Sequence, residues 1–283
     1  MAGPFLQLIP ADLVRGIQQL EPLPVTAQQL LALISGKNVS LAAVADLIEF
    51  DPAITAAVLR SASTVRHASR GVPSVREAVL RLGTVALLDL VLEGYLKRLR
   101  KATPTYDLSE HDLWRHGAAA QLAVRALAAE RPQAAIPQIA ETAALLHDIG
   151  KLIVSRYAQA DAKELLTHAT ERGITFVEAE REVLGVDHAA VGAAMAEAWS
   201  FPPEIVDAIR RHHSPPFTDA TVVLDAVTLG NAIAKTIGAG LGAEGLNFAV
   251  DNDSYRRLGV DFAAYGRACL QTHLWLEEMS QST

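Results

Sequence analysis

Six residues of the chain carry the side chains from which transition-metal centres are built. Five are histidines and one is an aspartate, and they occur at four places: His116, His147 with Asp148, His188, and His212 with His213. Imidazole and carboxylate ligands together suit zinc, manganese, iron, nickel or cobalt rather than calcium or magnesium. A carboxylate can also bridge two ions, as two-metal chemistry on phosphate esters requires. We therefore predict a divalent transition-metal centre of one or two ions, with iron or manganese favoured over zinc or nickel.

The sequence around His147 and Asp148 indicates that these two residues act in a buried place. The pair ends an apolar segment, Ala143 to Leu146, that must face a core. A carboxylate there needs a cation, because burying an unpaired charge is costly. Lys151 follows His147 by about one helical turn, so the two side chains project from similar faces. Lys151 is therefore the candidate catalytic residue, which could hold a phosphate oxygen or position an attacking water.

Each candidate also has a purely structural interpretation. His147 and Asp148 could form a buried hydrogen-bonded pair that ties two helices together, an alternative that the single histidines share. His212 or His213 could stabilise the end of a helix through the helix macrodipole. Lys151 could be a solvated surface charge. Capped or solvent-facing positions are expected for the other four histidines, His67, His111, His168 and His273.

The elements that must position these residues are predicted to be helices. Hydrophobic residues make up 50% of the 283 and aromatic residues only 5%, so Ala, Leu, Val and Ile must build most of the core. Ala and Leu are strong helix formers. Helix-start signals recur at Asp51–Pro52, Ser74–Glu77 and Thr175–Glu178, and the period-two alternation of strands is nearly absent. We predict an all-α fold of ten to thirteen helices.

Punctuation by proline and glycine suggests three stretches of chain. Residues 13–104 contain short helices separated by prolines, and residues 105–240 contain longer helices and the histidine-rich motifs. A glycine-rich segment, residues 238–242, then breaks the helical pattern, and residues 241–283 are predicted to form closing helices. The sequence does not decide whether the first two stretches are separate domains or one fused bundle.

Charge and composition disfavour several classes of partner. The net charge is −7, the pI is about 5.7, and no basic run stands out, which disfavours direct nucleic-acid binding. A single cysteine, Cys269, fits a reducing compartment. Residues 1–10 lack a basic region and a convincing cleavage site, and no apolar run is long enough for a membrane span. We expect a cytoplasmic protein without a nucleic-acid or membrane partner.

The metal-ligand candidates resemble those of a known superfamily. His147–Asp148 with His116 upstream is similar to the signature of the HD metal-dependent phosphohydrolases. His188 and the doublet His212–His213 resemble the larger ligand set of the HD-GYP cyclic-di-GMP phosphodiesterases. The resemblance implies one ion held by His116, His147 and Asp148, and a second held by Asp148, His188, His212 and His213.

The surrounding sequence is more similar to HDOD domains. Leu23–Pro24, Ile48–Thr55, Ser74–Gly83 and Gly192–Pro215 agree with that family in order, and the resemblance covers about residues 13–237. It implies an HD-type helix bundle with an additional amino-terminal helical subdomain, in a bacterial signalling protein. HDOD proteins are generally regarded as signalling modules without demonstrated catalysis.

Two departures from the superfamily pattern bear on activity. Asn231 stands where the final metal-binding aspartate is expected, and it supplies an oxygen without charge, so the first ion should bind less tightly. Asp225 is not expected to substitute, because six residues along a helix turn it towards another face. The sequence Gly-Tyr-Pro that names the phosphodiesterases is also absent, and Ser214–Phe217 follows the doublet.

Three functions are compatible with these features. The first is a metal-binding regulatory module that recognises a signalling protein or a nucleotide without strong catalysis. The second is a metal-dependent phosphohydrolase acting on a nucleotide or cyclic dinucleotide. The third is an oxygen-using di-iron oxidase in the same fold, for which the sequence indicates no organic substrate.

Overall fold

The structure is a computed structural model that describes residues 9–19, 22–34, 40–64, 74–99, 104–109, 111–157, 162–214, 219–243, 250 and 252–281. Within these ranges the regular elements are helices and no β-strand occurs, which confirms the all-α prediction. There are fifteen α-helices in the described ranges, rather than ten to thirteen. Part of the difference arises because the segment that carries His147 and Asp148 separates two short helices.

The helices pack into two compact units. One comprises residues 21–99 with 199–202, and the other comprises residues 1–20, 100–198 and 203–283. The domain boundaries predicted at residues 104 and 240 stay predictions. Among its described residues, the first unit contains four helices: α2 (Val25–Ile34), α3 (Leu41–Glu49), α4 (Pro52–Thr64) and α5 (Val75–Arg98). The second, larger unit contains the others: α1 (Ala11–Gln18), α6 (Asp112–Glu130), α7 (Ile139–Leu146), α8 (Gly150–Tyr157), α9 (Ala162–Arg172), α10 (Phe176–Leu184), α11 (His188–Ala198), α12 (Pro203–Arg211), α13 (Val222–Thr236), α14 (Asn252–Leu258) and α15 (Phe262–Gln281).

The predicted helix starts are caps in the structure. The hydroxyl of Ser74 accepts from the backbone N–H of Glu77, and the carboxylate of Asp51 accepts from the N–H three residues on, ahead of α4. Thr175 and Glu178 form the full reciprocal capping box at the start of α10. Each bond satisfies a backbone donor that the first helical turn leaves without a partner. These boundaries are therefore set by local side-chain chemistry.

Helix α6 is the central element of the larger unit, where it packs against α7, α13 and α15. Its buried face is built from small residues, Gly117 to Ala120 and Ala123, so the neighbouring helices come close. Gly230 of α13 meets this face, and a Cβ atom there would stand 2.9 Å from the carbonyl oxygen of Ala120. This approach places α13 beside the amino-terminal half of α6, where the candidate site lies.

None of the helices in the described ranges is both long and apolar enough to cross a membrane.

Candidate metal centre

The six predicted ligand residues converge within the larger unit, although they come from four parts of the chain. His116 lies in the second turn of α6, and the pair His147–Asp148 lies directly between α7 and α8. His188 is the first residue of α11, and the doublet His212–His213 follows α12. Helix ends thus present most of the ligands. The donor atoms form two groups that share Asp148: His116, His147 and Asp148, and Asp148, His188, His212 and His213, each with atoms within 4.8 Å of one another.

A glycine allows two of these parts to meet. Gly150 begins α8, two residues after Asp148, and it lies against the first turn of α11. A Cβ atom at this position would overlap the carbonyl oxygen of His188 and the backbone nitrogen of Gly192. Only a residue without a side chain lets the backbones approach so closely. Gly150 therefore brings Asp148 next to His188.

Two histidines are oriented by the helices that they end. Nδ1 of His147 donates to the carbonyl of Ala144 at 2.7 Å, and Nδ1 of His212 donates to the carbonyl of Ile209 at 2.6 Å. A hydrogen bond of this kind fixes the tautomer and leaves the lone pair on Nε2. Both Nε2 atoms are buried and make no hydrogen bond within the described residues, and the same holds for Nε2 of His213. Two buried lone pairs, and the buried Nε2 atom of His213, thus lie in the centre.

His116 and Asn231 face each other with two acceptor atoms. Nδ1 of His116 donates to the carbonyl of Ala239 at 2.8 Å, so the neutral ring carries its lone pair on Nε2. That atom lies 3.1 Å from Oδ1 of Asn231. Ligands about 2.1 Å from one ion and at right angles to each other are about 3 Å apart. The pair is thus arranged as neighbouring ligands of one cation.

His188 is oriented by a residue that the sequence did not single out. Nδ1 of His188 donates to the carboxylate of Glu180, with distances of 2.8 and 3.1 Å to the two oxygens. The hydroxyl of Tyr106 donates to the same carboxylate, and its ring stands edge-on to the His188 ring. Glu180 is 0% exposed. One signal was available: a glutamate among Phe176, Val177 and Ala179 on the buried face of α10 needs a polar partner.

Asp148 lies between the two groups with one oxygen towards each. Oδ1 lies 3.2 Å from Nε2 of His188 and 3.5 Å from Nε2 of His212. Oδ2 lies 3.5 Å from Nε2 of His147 and 3.6 Å from Nε2 of His116. These separations are close to the edge of a tetrahedron of ligands about 2.1 Å from an ion, which is about 3.4 Å. The carboxylate has the position of a bridging ligand.

Lys151 is buried and contacts the same carboxylate. Its Nζ donates to Oδ2 of Asp148 at 2.7 Å and lies 5.2 Å from the centre of the Tyr106 ring. The interpretation of Lys151 as a solvated surface charge is therefore wrong for this structure. The predicted catalytic role stays a prediction, and the geometry places the ammonium group where it stabilises negative charge on Asp148.

The protonation states suit cation binding. Burial lowers the pKa of His116, and lowers those of His147 and His213 well below the usual value, against the opposing attraction of Asp148. Burial would raise the pKa of Asp148, but His147 and the Lys151 ammonium hold it well below its usual range. Neutral imidazoles and an ionised carboxylate are the forms that ligate metals. With the buried lone pairs, this donor set fits a divalent transition metal.

Residues left out of the predicted ligand set lie elsewhere. Asp225, one turn into α13, pairs with Arg257 through both carboxylate oxygens at 2.7 Å and accepts from Ser254. It is thus turned away from Asn231, as the helical spacing predicted. His168 pairs with Glu182 on the surface, His273 is exposed, and His67 lies outside the described residues.

Comparison with known proteins identifies the family. The HDOD domain family model matches residues 20–215. The crystal structure of an HDOD domain protein with unknown function from Geobacter sulfurreducens is 26% identical, with a TM-score of 0.63 over 98% of this chain and 93% of that one. That of a candidate signal transduction protein from Marinobacter aquaeolei VT8 is 25% identical, with a TM-score of 0.69 over 95% of this chain and 65% of that one.

A curated relative matches part of its own length. An uncharacterized protein of Treponema pallidum (strain Nichols) is 24% identical over 207 residues, which is 73% of this chain. The match spans 40% of that relative. The predicted family and the HD-type all-α fold are confirmed by the family model and the structural neighbours together.

Proposed function

Because the chain belongs to the HDOD domain family, we propose that it is a regulatory module of signal transduction whose centre binds a divalent transition metal without strong catalysis. The observation that carries the proposal is the burial of the donor set. His147 and His188 are 0% exposed and Asp148 is 3% exposed. A phosphoryl group must touch the ions to be activated, and in the described part of the chain the donor atoms are covered by protein.

We propose that the metal stabilises the folded conformation of the module, and that a partner recognises this conformation. The ligands come from α6, α11, α13 and the segments after α7 and α12. An ion bound to ligands from several of these elements would link them, and binding only to the folded chain stabilises it. We propose that the partner is a signalling protein or a nucleotide. The similarity to the candidate signal transduction protein of Marinobacter supports this assignment.

A second candidate function is hydrolysis of a phosphate ester, and Lys151 is the observation that favours it. A bound ion would supply Lewis acidity to a phosphoryl oxygen. The ammonium group of Lys151, 2.7 Å from Oδ2 of Asp148, would stabilise the negative charge that develops on the phosphoryl oxygens. Asn231 opposes this function, because its neutral oxygen holds an ion less strongly than the carboxylate expected there.

Metal analysis with a hydrolysis assay tests the proposal. The untagged chain is reconstituted anaerobically with iron(II) or manganese(II), analysed by mass spectrometry, and assayed on cyclic dinucleotides. We expect bound metal that is lost in Asp148→Ala and His188→Ala, retained in the surface control His168→Ala, and accompanied by little turnover. Robust hydrolysis that depends on His147 would establish the second function instead. If the wild-type chain bound no metal, the proposal would fail.

A further inference from the structure

The two oxygens of Asp148 have different partners. Oδ1 faces Nε2 of His188 at 3.2 Å and Nε2 of His212 at 3.5 Å. Oδ2 faces two imidazoles as well, but it also accepts from Nζ of Lys151 at 2.7 Å. A cation, the lysine ammonium, thus already lies against the second oxygen. The first oxygen faces imidazole nitrogens instead.

The ligands near Oδ2 contribute no further negative charge. They are the imidazoles of His116 and His147 and the amide oxygen of Asn231. A divalent ion here would therefore meet the Lys151 ammonium and share a single carboxylate with it.

The ligands near Oδ1 are better suited to a divalent ion. Three imidazoles meet there. The centre of the His213 ring lies 4.1 Å from the centre of the His212 ring and 5.0 Å from that of the His188 ring. The buried carboxylate of Glu180 accepts from His188, which makes the imidazole a stronger ligand and adds negative charge nearby.

We propose that this chain holds one divalent ion rather than two, bound by Oδ1 of Asp148 with His188, His212 and His213, while the Lys151 ammonium takes the place of the other cation at Oδ2. This inference rests on the proposed metal-binding function and specifies its stoichiometry. With Asn231 in place of the aspartate expected from the superfamily, the charge at Oδ2 is balanced by a lysine and not by a metal.

Paired histidine variants distinguish the two positions. His213→Ala removes a ligand near Oδ1, and His116→Ala removes a ligand near Oδ2. After reconstitution with manganese(II), the wild type should contain about one ion per chain. We expect His213→Ala to lose it and His116→Ala to retain it. Circular dichroism and thermal unfolding confirm that both variants are folded, and a misfolded variant is replaced by His213→Phe or His116→Phe.

A gain of metal provides the complementary test. Asn231→Asp combined with Lys151→Met restores a carboxylate near Oδ2 and removes the competing ammonium group. We expect this double variant to bind about two manganese ions per chain. Its electron paramagnetic resonance spectrum should show a coupled pair, whereas the wild type should show an isolated ion.

The outcomes separate this inference from the function on which it rests. Two ions in the wild type, or one ion lost in His116→Ala and kept in His213→Ala, would overturn the one-ion assignment and leave metal binding intact. A double variant that still binds one ion would overturn the role given to Lys151. No metal in any folded variant would overturn both the inference and the proposed function.

Discussion

Glu180 and His188 form a buried pair in which the carboxylate accepts from Nδ1 at 2.8 Å, leaving Nε2 directed at Asp148. The pair joins α10 to the first residue of α11. The backbone N–H of His188 also points to this carboxylate, at 3.3 Å. Glu180 therefore fixes both the tautomer and the position of a candidate ligand.

Glu180→Gln should weaken metal binding about 10- to 100-fold, because it removes the charge that strengthens the imidazole as a ligand. Calorimetric titration with manganese(II) measures the change. The control is Glu182→Gln, since Glu182 lies two residues on and pairs with His168 at the surface. Equal affinities in the two variants would show that Glu180 does not orient a ligand.

Gly150→Ala should destabilise the protein by at least about 1–3 kcal/mol, because the new methyl group would overlap the backbone of His188 and force α8 away from α11. Gly266 is the matched control. It lies inside α15, and a Cβ atom there would meet nothing within 4 Å. Gly266→Ala should stabilise the chain by about 0.5–1 kcal/mol. Urea unfolding gives both values, and a shift of the same sign in both variants would refute the close-approach argument.

Arg257→Ala should lower the free energy of unfolding by about 3 kcal/mol or more. The reason is that it leaves the carboxylate of Asp225, which is 1% exposed, without its bidentate partner. Arg256→Ala is the control: its guanidinium pairs with Asp253 at an exposed position, so the change should be at most about 1 kcal/mol. Metal content should be unchanged in both. A loss of metal in Arg257→Ala would mean that Asp225 contributes to the centre.

Stability of the metal-free protein should fall as the pH drops below about 6.5. The pKa values of His116, His147 and His213 are lower in the folded chain than in the unfolded chain, where they are about 6.5. As the pH falls, the histidines are therefore protonated in the unfolded state before they are protonated in the folded state. The free energy of unfolding then decreases by up to about 1.4 kcal/mol per pH unit for each histidine. Asp148, whose pKa is also lowered, contributes its loss only at more acidic pH.

Urea unfolding at pH 7.5 and 5.5 in the presence of a chelator measures this dependence. The surface variant His168→Gln should keep the slope of the wild type, because His168 is not part of the buried cluster. A wild-type stability that is the same at both pH values would contradict the neutral, buried state of the three histidines.

The sequence by itself determined the features that depend on neighbouring residues. Thr175 and Glu178 are three positions apart, and their capping bonds close within one turn, so the start of α10 could be predicted. The same is true of the direction of Asp225 relative to Asn231, because both lie on one helix of fixed pitch. The types of ligand, and the exchange of aspartate for asparagine, are also properties of single positions.

Tertiary structure decided everything that depends on residues far apart in the chain. Tyr106, Glu180 and His188 meet through contacts between three elements, so spacing could not reveal that Glu180 orients a ligand. The position of Oδ1 of Asp148 beside His188 and His212 likewise depends on elements that are distant in the chain. Such distances, and the burial that sets the charge of each group, depend on packing between elements that are distant in the chain. A local pattern of residues does not contain this information.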